Sequence, residues 1–390
     1  MSRLQPTSTP RWIVLQLVEA CNLRCRMCYE WGDRGVYRHV EAPAQLDFEI
    51  IERIVRECES TRPYFELFGG EPFLHPRIDD VIRCILDGGS VLGIPTNGTL
   101  IQDHADTLVG GDPVRVWVSL DGPEQINDQQ RGQGSFRRAM AGIEAILEAR
   151  ERGGHRYPQL GITYIVTPRT AAHVLRCFHG SLDLARLDFV SIVLENFATS
   201  GECDAYERVV VDEFGGSSAR FARGYLRDPG YFRGIDCRDL SQQIAEVRRS
   251  CIESGVAFFT NPTATDTTNL EHYFAARWHR LADRRSRCAF PWMYAEVTAR
   301  GELATCHSFY DITFGNLRER SILDVWQGEG VERVRNRLRG GLFPICTACC
   351  RYYTNPNDQV LNGTRDQPAS VPNPDPCTSP EGNRDCGAGD

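Results

Sequence analysis

Three cysteines offer the sharpest chemistry in the chain. Cys21, Cys25 and Cys28 stand in EACNLRCRMCYEW with three and then two residues between them. At that spacing, three thiolates on one short loop can turn inward on a single metal centre. A 4Fe-4S cluster has four irons, so three thiolates leave one iron without a protein ligand. An open position on an otherwise protein-bound metal is where a substrate or cofactor binds. The competing reading, a structural zinc site, needs a fourth ligand such as His39 and gives no reason for the GGEP and TNG loops described below.

A second set lies near the C-terminus. Twelve residues separate Cys288 from Gly301, four more lead to Cys306, and after the FGNLRERSILDVW segment comes Cys346-x2-Cys349. Four thiolates can close an iron-sulfur cluster fully, and they suit a zinc-ribbon-like site equally well. Cys350 is an adjacent spare thiol. Cys58, Cys84, Cys177, Cys203, Cys237 and Cys251 read most simply as small buried hydrophobes. Arg333, Arg335, Arg337 and Arg339 read as a solvated helix face, although an anionic substrate could use them.

The chain has 390 residues and 16 Cys, and its start, MSRLQPTSTPRW, has no long apolar run after its basic residues. No stretch approaches the length of a membrane span. The expected compartment is therefore the cytoplasm, where disulfides are rare and metal ligation explains the cysteines better. All 44 residues counted as Lys plus Arg are Arg, which removes Schiff-base and pyridoxal phosphate chemistry. A net charge of -8 implies no general attraction to a phosphate backbone, so neither nucleic acid nor a membrane is an expected partner.

The elements that must position these groups alternate. Trp12 to Val18 reads as a buried strand, followed by the Cys loop and a helix from about Phe48 to Ser60. Further strands are predicted over Tyr64 to Phe68, Val91 to Pro95, Val114 to Leu120, Leu160 to Val166 and Asp188 to Leu194, with helices near Ile78 to Leu86 and Phe136 to Arg152. Short apolar strands alternating with helices imply a parallel sheet covered by helices, and six units fall short of the eight of a closed barrel. The expected fold is α/β: a partial (β/α)6 TIM-like barrel over residues 11–262 after a short tail, 1–10. A linker helix over 263–287 and a small α+β domain over 288–352 follow. The Pro-, Asn- and Gly-rich segment 353–390, which carries Cys377 and Cys386, is expected to be disordered. On such a fold functional residues gather where strands end. The Cys loop, GGEP (Gly69 to Pro72), TNG (Thr96 to Gly98) and SLDGP (Ser119 to Pro123) all fall there.

The ordered set CxxxCxxC, GGEP, TNG and SLDGP resembles the radical S-adenosylmethionine (SAM) superfamily, from residue 11 to about 350. The resemblance implies a catalytic 4Fe-4S cluster on Cys21, Cys25 and Cys28. It further implies S-adenosyl-L-methionine chelating the open iron, and an external one-electron reductant such as flavodoxin or ferredoxin. Cleavage of the sulfonium would give a 5'-deoxyadenosyl radical that abstracts a substrate hydrogen. Met27 matches the position beside the adenine. Gly69 and Gly70 would let the backbone approach the cofactor, Glu71 would fix that loop, and Thr96 and Asn97 would lie near the cofactor. Ser119 and Asp121 would contact its ribose or carboxylate side, and Arg131 would pair with its carboxylate.

The C-terminal set resembles the auxiliary-cluster domain called SPASM in its shortened Twitch form, including the C-x2-PW start at Cys288 and the GNL turn. It implies a second 4Fe-4S cluster on Cys288, Cys306, Cys346 and Cys349. Asn355 stands where the full form places its next cysteine, so one auxiliary cluster is expected. Cys203, after the sixth strand, is a candidate thiol for returning a hydrogen atom. Only about ten residues precede the first strand, leaving no room for an N-terminal peptide-recognition domain. The expected substrate is a small natural product, a sugar or aminocyclitol that is oxidised or epimerised. A ribosomally made peptide is the second expectation, and a non-enzymatic structural or redox-sensing metal module the third.

Overall fold

WIVLQLV, with Gln16 its one polar residue, forms the first strand, β1 (Trp12–Val18), and is buried along its whole length. A strand covered on both faces reads as such a continuous apolar run. The strands β2 (Tyr64–Gly69), β3 (Leu92–Thr96), β4 (Val114–Ser119), β5 (Gln159–Val166) and β6 (Phe189–Leu194) follow, each beside and parallel to the one before. These are the six expected strands. Two more parallel strands extend them: β7 (Ala257–Asn261) beside β6, and β8 (Tyr294–Val297) beside β1. β7 is an edge strand whose residues are half-buried or exposed, so AFFTN carries little strand signature. Two short antiparallel strands, β9 (Glu302–Ala304) and β10 (Thr313–Asn316), complete a ten-stranded sheet ordered β10-β9-β8-β1-β2-β3-β4-β5-β6-β7. The sheet is open between β7 and β10, as expected of a partial barrel. The structure is a computed structural model that describes residues 6–353. The tail, Asn355, Cys377 and Cys386 lie outside the described residues.

Side chains alternate across β1. Ile13, Leu15 and Leu17 pack into the main core with helices Phe48–Glu57 and Ile78–Asp87, whereas Trp12 and Val14 join Tyr64, Phe290 and Tyr294 in a separate cluster. Arg351, in the C-terminal helix Cys350–Tyr353, donates to both Glu66 carboxylate oxygens at 3.0 Å and lies 4.0 Å from the Trp12 ring centroid. The C-terminal segment is thus joined to the barrel by β8 on β1 and by a nearly buried ion pair. Among the described residues no helix is long and apolar enough to cross a membrane.

The Cys loop is seated directly against the end of β2. A Cβ on Gly70 would lie 2.0 Å from the Ala20 carbonyl oxygen, and one on Gly69, whose φ is +125°, would lie 2.2 Å from the Val18 carbonyl oxygen. The glycines are therefore required by the approach of the protein's own backbone, where the sequence reading looked to the cofactor alone. Gly70 N and Glu71 N donate to the Val18 and Ala20 carbonyls, both at 2.9 Å.

Two outcomes follow. Gly70→Ala forces the Cys loop off β2 and should cost about 2 kcal/mol or more of unfolding free energy in denaturant titrations. Arg351→Met leaves the Glu66 carboxylate unpaired in a nearly closed site and should cost about 3 kcal/mol by the same measurement. Stability equal to that of the unaltered chain in either variant contradicts the corresponding contact.

Candidate active site

Four loops meet at the C-terminal ends of β1 to β4, and buried carboxylates tie them together. Glu71 accepts from the Thr96 hydroxyl at 2.6 Å, from Asn97 N at 2.8 Å and from Phe73 N at 3.4 Å. It thereby joins GGEP to TNG. Burial pushes its carboxyl up to about 7 despite these donors. Asn97 Nδ2 reaches Asn22 Oδ1 at 2.8 Å and lies 4.0 Å from Cys21 Sγ, so TNG touches the Cys loop itself. On the other side of that loop, Trp31 Nε1 donates to the Glu19 carbonyl at 2.6 Å, and the Glu19 carboxylate pairs with Arg300 at 2.9 Å.

Asp121 and Arg131, both buried, form a second tie. Arg131 Nη2 donates to Asp121 Oδ1 at 3.0 Å, and Nε approaches Oδ2 to 2.7 Å off the N–H axis, an ion-pair contact more than a hydrogen bond. Asp121 Oδ1 also accepts from Ile165 N at 2.9 Å, and Arg131 Nη1 lies 4.0 Å from Cys25 Sγ. Although burial opposes its charge, Asp121 and Cys25 hold Arg131 firmly protonated. The pair lies beside Cys25, and Asp121 Oδ2 and Arg131 Nε are left without a hydrogen-bond partner among the described residues. Ser119 ends β4 on the same rim, opposite Thr163 of β5.

The three loop thiols feel one another electrostatically. Leu23 N donates to Cys21 Sγ and Trp31 N to Cys28 Sγ, each at 3.4 Å. Burial raises all three thiols, Cys28 to about 12. Among the described residues no three His, Cys, Asp or Glu side chains converge as ligands of a single metal ion do. Three thiols on one short loop, two of them accepting from loop amides, suit a cluster whose irons each take a separate thiolate.

Cys288, Cys306, Cys346 and Cys349 line one apolar cavity with Tyr206, Phe309 and Phe343. Burial raises Cys288 to about 11, Cys306 to about 12 and Cys346 well above the usual thiol range, while Cys349 is raised first by its hydrogen bond with Cys350 and then by burial. Cys350 is not part of that lining. It bonds instead with Cys349 and His307.

Other residues depart from expectation. Cys203 is fully buried in helix Ser200–Phe214, its thiol donating to the Ala222 carbonyl at 3.6 Å, so the helix turns it into an apolar cluster instead of onto the rim. Arg335 is 1% exposed, donates to the Pro291 carbonyl at 2.8 Å and stacks on Trp326, so the expected solvated arginine face does not hold for this residue. Cys58, Cys177 and Cys251 are core residues as read, and Cys84 and Cys237 are half-buried against it. The sequence reading missed Glu296 of β8, which accepts from Tyr294 and Tyr310 and lies 3.0 Å from His307 Nδ1. Although burial alone would lower it, Glu296 brings His307 to about 10. The signal available was a His directly after a ligand-spaced cysteine.

The model for the Radical SAM superfamily matches residues 15–166, and that for the SPASM iron-sulfur cluster-binding domain matches residues 288–350. The tungsten-containing aldehyde ferredoxin oxidoreductase cofactor-modifying protein of Pyrococcus furiosus is 24% identical over 353 residues, which is 87% of either chain. The AdoMet-dependent heme synthase of Methanosarcina barkeri is 32% identical over 147 residues, 37% of this chain and 41% of that relative. Among solved structures, Streptococcus suis SuiB matches with a TM-score of 0.57 at 17% identity, covering 89% of this chain and 72% of SuiB. The enzyme anSMEcpe with bound AdoMet matches with 0.53 at 14% identity, covering 88% and 92%. Those two likenesses are of fold. The two domain matches, in the order in which the two cysteine sets occur, make this chain an enzyme of the radical SAM superfamily with a C-terminal SPASM-type iron-sulfur domain.

Proposed function

We propose that Cys21, Cys25 and Cys28 hold the catalytic 4Fe-4S cluster and that the chain removes a hydrogen atom from a small-molecule substrate, a sugar or aminocyclitol in class, leading to oxidation or epimerisation. Cys288, Cys306, Cys346 and Cys349 hold one auxiliary 4Fe-4S cluster that assists electron transfer or substrate binding. The observation that carries this reading is the three-thiol loop, seated on the β2 glycines and touched by Asn97 and Arg131. Held by these residues, the cluster and S-adenosylmethionine would supply hydrogen-atom abstraction, given one electron from an external reductant such as ferredoxin or flavodoxin.

The protein's own residues orient and exclude. The Gly69 and Gly70 backbone, beside Thr96 and Ser119, forms the wall on which the cofactor is placed. Glu71 and Asn97 hold that wall to the Cys loop, and the Asp121–Arg131 pair fixes the Cys25 side. Arg227 Nη2 donates to the Met27 carbonyl at 3.0 Å and holds the segment between the second and third thiols. Relatives with cofactor modification and heme synthesis in their names support a small-molecule substrate. A second reading, modification of a ribosomally made peptide, is favoured by the likeness to SuiB, which has been solved with its precursor peptide SuiA.

The test uses anaerobically purified protein, reductant and S-adenosylmethionine. Cys25→Ala should abolish 5'-deoxyadenosine formation while the iron of the C-terminal site persists, because the two sites share no ligand. Formation at the unaltered rate defeats the assignment. Cys346→Ala should lower iron to about the yield of one cluster. Unchanged iron would make another thiol, Cys350 first, the ligand.

A further inference from the structure

We propose that a basic pocket beside the Cys loop binds an anionic group of the substrate, phosphate or carboxylate; this rests on the small-molecule reading above. The pocket has a volume of about 550 Å³ and is lined by Arg26, Arg34, Arg169 and Arg227 against Asp33 and Asp228. Three of its guanidiniums donate to neutral oxygens: Arg26 Nε to the Gln129 carbonyl at 3.1 Å, Arg34 Nη1 to the Leu226 carbonyl at 3.3 Å and Arg169 Nη1 to Gln129 Oε1 at 3.2 Å. None of the three forms an ion pair among the described residues. Elsewhere this chain pairs its arginines freely: Arg223 with Asp204 and Glu207, Arg186 with Glu144, Arg150 with Asp188.

The acids present do not answer those charges. Asp228 Oδ1 accepts from Gly230 N at 2.7 Å. Arg227 pairs with Glu195 at 2.8 Å, and its bond to the Met27 carbonyl at 3.0 Å, with Arg26 in the lining, ties the pocket to the Cys loop. A fourth donor points the same way: Gln130 lines the pocket, is 3% exposed, and its Nε2 finds no acceptor. Guanidiniums with an amide N–H beside them match the several acceptor oxygens of a phosphate or carboxylate. In a chain of net charge -8, such a local surplus of unpaired cations costs stability through mutual repulsion unless an anion relieves it. Tyr231, 46% exposed, forms a wall of the same pocket, against which an apolar part of the ligand can rest.

The cluster-loaded full chain is titrated calorimetrically with inorganic pyrophosphate and, separately, with citrate. Saturable, salt-weakened binding of one of them is expected, falling about tenfold or more in Arg34→Gln/Arg169→Gln. Arg56→Gln, on the outer face of helix Phe48–Glu57, serves as the control and should bind as the unaltered chain does. Stronger binding of pyrophosphate names a phosphoryl group, and stronger binding of citrate a carboxylate. No binding of either, equal binding by the double variant, or an equal fall in its affinity for S-adenosylmethionine overturns the proposal, the last by giving the pocket to the cofactor. Absence of 5'-deoxyadenosine from the unaltered protein in the same preparation would defeat the enzyme reading separately, whatever the anion titrations give.

Discussion

The Cys loop and the end of β2 press together so closely that neither Gly69 nor Gly70 has room for a side chain. That backbone-on-backbone contact sets the position of every thiol in the loop. A parallel sheet delivers the loops after β1 to β4 to one rim, but delivery alone leaves them as loose as any surface loop. Here the glycines remove the freedom of the first two, and Glu71 carries the restraint across to TNG. The Asp121–Arg131 pair then braces Cys25 from the side of β4 and β5. A rim braced in this way is ordered by the protein's own contacts, so ligand binding need not supply the ordering free energy.

The same strand that carries the loop also ties the two domains. β1 is flanked by β2 on one side and β8 on the other, and Arg351 reaches from beside the second cysteine set to Glu66 on β2. The four-thiol cavity is therefore anchored to the strands that bear the Cys loop. Between them lie buried Glu296 and the half-buried His307 and Cys350, polar groups that bond with one another and with Cys349. Polar groups this deep persist when each has a partner.

Much of this was legible in the amino-acid sequence, and the physical reason is plain in each case. β1 to β6 are short apolar runs because both faces of a helix-covered parallel strand are buried, and the two cysteine sets announce themselves by spacing. The illegible parts depend on partners distant in the chain. β7 lies at an edge with its residues half-exposed, so no strong pattern marks it. Arg335 sits among helix arginines that look alike in one dimension, yet only it meets Trp326 and the Pro291 carbonyl. Cys203 falls at the expected strand end, but the Thr199 capping box starts a helix there that turns the thiol inward. SLDGP and RGQGSF mark Asp121 and Arg131 in one dimension, but their engagement with each other depends on the fold.

The central claim is that three thiolates hold an iron-sulfur cluster whose fourth iron is open to S-adenosylmethionine. The most direct measurement is electron paramagnetic resonance of the dithionite-reduced, anaerobically purified chain, recorded with and without S-adenosylmethionine and read beside metal analysis. Iron and sulfide enough for two clusters, with one reduced-cluster signal changing on addition of the cofactor and the other unmoved, is the expected result. Zinc in place of iron at the loop, or a spectrum indifferent to the cofactor, would contradict it.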